Sequence, residues 1–90
     1  MPIAALKLKI LPDSPDVDLK AIEYQAEKIA LELGCKSFKA EHEEIGFGLK
    51  AIILTLAWPE QQEQELIEGK LRKIEHVDSV EVIDFRRALG

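Results

Sequence analysis

The sequence predicts an α+β domain with the element order β-α-β-β-α-β. Three observations predict it. Four runs carry apolar residues in the patterns of strands, two longer stretches repeat them at steps of three and four as helices do, and Pro or Gly sits near the changes of period. Ninety residues suffice for one folding unit, spanning 1–90, since domains commonly run to roughly 100–200 residues. Apolar residues at 47% and charged ones at 32%, with four Pro and five Gly, are the composition of a chain that buries a core.

Ile3 to Leu11 reads as a strand with Ala4, Leu6, Leu8 and Ile10 on one face and Lys7 and Lys9 on the other. Pro12-Asp13-Ser14-Pro15-Asp16 then stops strand pairing and offers short polar side chains to cap a helix. From Val17 to Leu33 the residues Leu19, Ile22, Ala26, Ile29 and Leu33 form one apolar stripe, and Gly34 caps the end. Lys36 to Glu44 alternates weakly around Phe38 and Ala40, as an exposed edge strand does. Gly46-Phe47-Gly48 marks a hairpin turn or bulge. Leu49 to Ala57, almost wholly apolar, predicts a central strand covered on both faces.

Trp58-Pro59 breaks that strand, and Glu60 to Ile74 predicts a second helix with Leu66, Ile67, Leu71 and Ile74 on its apolar stripe and Gly69 weakening its middle. Glu60, Glu63 and Glu65 fall near the positive end of its dipole, and Lys70, Arg72 and Lys73 near the negative end. Ser79 to Phe85 alternates Val80 and Val82 against Glu81, Ile83 and Phe85, and a basic tail, Arg86-Arg87-Ala88-Leu89-Gly90, follows. Short connections and right-handed crossovers pack this order as a split βαβ, or ferredoxin-like, sandwich. Its four-stranded antiparallel sheet has the first and third strands central, and both helices cover one face.

Twelve Lys and Arg against seventeen Asp and Glu give a net charge of −5, which repels phosphate backbones and anionic membranes. Neither direct nucleic-acid binding nor membrane association is expected. The first residues, MPIAALKLKIL, lack the features of a secretory signal, and no apolar run approaches the roughly 20 residues that span a bilayer, so a cytoplasmic location is expected. Cys35 alone forms no intramolecular disulfide and, with the widely spaced His42 and His76, falls short of a zinc site, so no metal or cofactor is expected. No nucleophile stands in a motif with a base, which argues against an enzyme. Cys35 is read as structural, and His42 and His76 as solvated surface residues in acidic stretches.

Other activities of this fold lack their residues. RNA-binding modules need aromatics on the central strands, metal chaperones need a cysteine pair, and an acylphosphatase needs an arginine in the loop after the first strand, where this chain has acids. An alternative is a ferredoxin-like small-molecule-sensing or protein-interaction module pairing through its sheet edges; sensors of that kind are normally fused to an enzyme, and no linker is found here. Two features fit a scaffold poorly. From physics alone Phe47 folds back on the core and Arg86 and Arg87 form a solubilising tail, yet both are placed to touch a partner.

Three stretches resemble a known family: Leu11-Pro12-Asp13-Ser14-Pro15-Asp16-Val17-Asp18-Leu19, Glu44-Ile45-Gly46-Phe47-Gly48-Leu49-Lys50-Ala51, and Val77-Asp78-Ser79-Val80-Glu81-Val82 with Asp84-Phe85-Arg86-Arg87. In this order they resemble the archaeal elongation factor 1-beta family, itself similar to the C-terminal exchange domain of the eukaryotic counterpart. The resemblance implies a ferredoxin-like fold and guanine nucleotide exchange, promoting GDP release and GTP loading, on elongation factor 1-alpha. It further implies that Ile45, Gly46, Phe47 and Gly48 dock on that G protein, and that Arg86 or Arg87 reaches its Mg²⁺ and phosphate site. Eukaryotic members place lysine where this chain has arginine. The stretch Trp58-Pro59-Glu60-Gln61-Gln62 departs from the acidic, glycine-rich sequence expected there, so the resemblance assigns it no role.

Overall fold

A computed structural model describes residues 3–87; Ala88, Leu89 and Gly90 of the expected basic tail lie outside the described residues. The elements form in the expected order: β1 (Ile3–Pro12), α1 (Leu19–Glu32), β2 (Phe38–Gly46), β3 (Leu49–Pro59), α2 (Gln64–Arg72) and β4 (Val77–Arg87). The strands pair antiparallel in one sheet of order β2-β3-β1-β4, the ferredoxin-like arrangement. The apolar first and third strands are therefore central, and the charged β2 lies at an edge.

Alternation decides which face is buried. Leu6, Leu8 and Ile10 of β1 stand opposite Leu56, Leu54 and Ile52 of β3, all with essentially no exposure. Ile22, Ala26 and Ala30 of α1 and Ile67 and Leu71 of α2 complete the same core. Two small alanines along the centre line of α1 let that helix lie close to the sheet. Asp18 caps α1, its side chain accepting a hydrogen bond from the Lys20 amide at 3.1 Å. At the other end Gly34, at φ +88°, allows the Gly34 and Cys35 amides to donate back to the Leu31 and Ala30 carbonyls.

Several expectations are corrected. Pro12 does not stop β1: it is buried and pairs with Val77 beyond a register shift, at the strand end where its missing N–H costs no ladder bond. The open face of β3 is not covered as its sequence suggests. Ile53, Thr55 and Ala57 there are half-buried, shielded by sheet neighbours and by the Lys9–Glu43 pair at 3.9 Å, which reaches across β3. The second helix is shorter than expected, because Glu60 to Gln62 form a turn locked to the core. Leu66 is 46% exposed, one residue or about 100° around the helix from Ile67, and so leaves the buried stripe.

The last strand differs most. A register shift places Ile83 as a bulge between Val82, opposite Leu8, and Asp84, opposite Lys7. The extra residue flips the alternation, so Phe85 turns inward opposite Leu6 and packs on the core instead of sharing a face with Glu81. Arg86 and Arg87 follow as ladder residues opposite Ala5 and Ala4, not as a free tail.

Candidate functional site

The β2–β3 connection is as short as a hairpin permits. Gly46 pairs with Leu49, leaving Phe47 and Gly48 as the two loop residues, at φ 55° and +79°. Positive φ at both positions is the signature of a type I′ turn, whose twist matches the flanking strands. The register also shifts between Glu44 and Gly46, so Ile45 is set out of the ladder and is 37% exposed. Phe47 is 100% exposed. It does not fold back on the core, since a two-residue turn carries its side chains past the end of the sheet. A bulky aromatic in the left-handed region costs on the order of 1–3 kcal/mol, and here no buried apolar contact offsets it. The ring, the glycines beside it and Ile45 make up an exposed, largely apolar hairpin tip.

The loop between β1 and α1 flanks this tip. A Cβ added to Gly48 would meet Pro15 at 3.7 Å. A cleft of about 330 Å³, lined by Pro12, Ser14, Pro15, Leu19, Gly48 and Lys50, opens between loop and hairpin. The Asp13 amide donates to the His76 carbonyl at 2.9 Å, and the Asp13 carboxylate lies 3.4 Å from His76 Nδ1, which ties the loop to the α2–β4 connection. The motif at residues 11–19 and the phenylalanine hairpin, distant in sequence, thus meet at one end of the molecule.

Arg86 and Arg87 lie at the other end. The ten steps between the first and last of the eleven residues of β3, at about 3.3 Å each, separate the two ends by about 33 Å, within a longest dimension of 42 Å. The two arginines leave β4 on opposite faces. Arg86, opposite Ala5, stands on the open face with its Nε 3.1 Å from Asp84. Arg87, opposite the buried Ala4, stands on the helix face with its Nε 3.3 Å from Glu60. The structure therefore gathers the predicted site residues into two groups that cannot touch one spot on a partner.

The remaining singled-out residues have surroundings of their own. Cys35 is buried, and burial pushes its thiol from 9.0 up to about 11, which suppresses the thiolate. His42 is not simply solvated: it faces α1, with Nε2 2.5 Å from Glu23. His76 has φ 72° and contacts Asp13 and Glu75. Among the described residues no cluster of three or more His, Cys, Asp or Glu is arranged to hold a metal ion, and no helix is long and apolar enough to cross a membrane.

Two features escaped sequence reasoning. Glu60, expected near the positive end of the helix dipole, instead meets Arg87, and Gln62 donates from Nε2 to the Leu33 carbonyl at 2.7 Å. Neither contact has a sequence signal, because each joins residues remote in the chain.

Residues 5–88 match the EF-1 guanine nucleotide exchange domain. Similar proteins include elongation factor 1-beta of Methanosphaera stadtmanae, 37% identical over 97% of both chains. The elongation factor 1-beta of Methanothermobacter thermautotrophicus is 35% identical over 91% of this chain and 92% of its own. That of Pyrobaculum aerophilum is 38% identical over 92% and 91% respectively.

Proposed function

The chain belongs to the EF-1 guanine nucleotide exchange domain family and is a nucleotide exchange factor of translation elongation, and from that premise we propose how its two ends divide the work. The partner is elongation factor 1-alpha, in the cytoplasm. Ile45, Gly46, Phe47 and Gly48 dock on it, and an arginine at the far end of β4 acts beside its Mg²⁺ and phosphates. The observation that carries the reading is Phe47: an aromatic held fully exposed, at a backbone angle that costs stability, is explained by contact with another molecule.

Exchange by this route needs no covalent step. A protein that binds the nucleotide-free partner better than the nucleotide-bound one weakens nucleotide binding by the same factor, by reciprocity. A guanidinium brought near Mg²⁺ and the phosphates competes with the metal for the phosphates' negative charge, and each 1.4 kcal/mol of difference is about tenfold in nucleotide affinity. Docking about 33 Å away from that point lets binding energy at the hairpin press the arginine end against the nucleotide site.

The division is tested by two variants. Phe47→Ala is expected to weaken complex formation, while Arg86→Ala combined with Arg87→Ala leaves binding largely intact and slows nucleotide release. Affinity measured by calorimetry and release measured by stopped flow separate the two effects; equal loss of binding in both variants contradicts the assignment.

A further inference from the structure

The turn that follows β3 is fastened to the core and holds a carboxylate against Arg87. Trp58 is fully buried, and its Nε1 donates to the Gln62 carbonyl at 2.9 Å. The Gln62 amide donates back to the Pro59 carbonyl at 3.0 Å, and its side chain reaches the Leu33 carbonyl at the end of α1 at 2.7 Å. Residues 59–62 are thus fastened to the core below and to α1 beside them. Within this fastened turn Glu60 is the residue that meets Arg87, its side chain 21% exposed against 71% for the arginine.

The sheet explains why they meet. Trp58 of β3 and Arg87 of β4 both pair with Ala4 of the strand between them, on the helix-covered face. Neighbouring strands lie about 4.8 Å apart, so about 10 Å separates β3 from β4 here, a gap that Glu60 and Arg87 together can span over the small Ala4. The contact uses Nε, the guanidinium nitrogen nearest the chain, and the two terminal nitrogens still have hydrogens to give to an outside anion. Arg86, by contrast, leans on Asp84 of its own strand.

We infer that Glu60 is a positioning residue for exchange: the fastened 59–62 turn presents its carboxylate to orient Arg87, which selects Arg87 over Arg86 as the arginine delivered to the anionic site of the partner. This rests on the exchange reading. An ion pair between partly exposed groups biases a side chain by a modest factor. Removing the Glu60 charge therefore slows the saturated exchange step while leaving hairpin docking alone.

Two measurements test it. The first needs no partner: in ¹⁵N-resolved spectra the Arg87 Nε–H signal is expected to stand apart from the averaged arginine envelope and to collapse into it in Glu60→Gln. An Arg87 signal unchanged by that substitution overturns the proposal. The second is release of a fluorescent GDP analogue from elongation factor 1-alpha. Glu60→Gln is expected to lower the rate at saturating protein about 1.5- to fivefold, with an unchanged half-saturating concentration. That loss persists on an Arg86→Ala background and vanishes on an Arg87→Ala background, which a general loosening of the fold would not produce. A variant as fast as wild type or faster, or an equal loss on the Arg87→Ala background, overturns the proposal. Absence of acceleration by the wild-type protein overturns the exchange reading itself, which the spectra judge separately from the Glu60–Arg87 contact.

Discussion

The proposed docking role of Phe47 sets stability against binding, and a single substitution exposes the trade. At the first loop position of a two-residue hairpin with positive φ, asparagine before glycine is the preferred pair, and Phe47→Asn creates it. The variant is expected to gain about 0.5–1 kcal/mol in denaturant unfolding through relief of left-handed strain. It loses affinity for the partner at the same time. Loss of both stability and affinity would show that the ring supports the fold. Cys35 gives a second residue-level expectation. With the folded thiol raised from 9.0 to about 11, the native protein holds about a hundredfold less thiolate at neutral pH than the unfolded chain, so alkylation is slow until denaturant is added. The sign for stability follows: the unfolded thiol ionises first, so the contribution of the buried thiol is intact below pH 9.0 and is lost as pH rises from 9.0 toward about 11. A flat stability profile across that window, once other alkaline titrations are matched in Cys35→Ala, contradicts the burial argument.

Among the elements, the turn after β3 shows where packing overrides helix propensity. Glu60 to Glu63 has helix-forming residues, yet Trp58 and Gln62 claim the backbone and α2 starts only at Gln64. Gln62→Ala leaves the Leu33 carbonyl at the end of α1 without its side-chain donor and is expected to cost about 1 kcal/mol, seen as a lower urea midpoint with unchanged slope. An unchanged midpoint would mean that water replaces the bond without loss. The order of elements and the central place of β1 and β3 were legible because apolar periodicity is local and the Leu49–Ala57 run is long. The Ile83 bulge was not legible, since nothing in Val80 to Phe85 distinguishes strict alternation from alternation with one residue out of register; the facing residues of β1 decide it. Pro12 stays in its strand for a similar reason, as proline bars a strand interior but not a strand end. At the candidate site, the conspicuous Gly46-Phe47-Gly48 was legible and its exposure was not, because direction past the sheet end depends on the two-residue turn.

Along its length the sheet separates the exposed Phe47 hairpin at one end from the Glu60–Arg87 pair at the other. The chain's net charge of −5 makes a basic surface on the partner favourable for encounter, so association is expected to slow as salt is raised from about 0.05 to 0.5 M, while the hairpin tip keeps the dissociation rate nearly constant. Stopped-flow association at several salt concentrations checks this, and a salt-independent on-rate contradicts it. The central claim is exchange, and its direct test is the release of a fluorescent GDP analogue from elongation factor 1-alpha in excess unlabelled nucleotide, followed as this protein is titrated in. The release rate is expected to rise with concentration and saturate; a rate that stays at its intrinsic value, at concentrations where the two proteins are shown to bind, contradicts exchange.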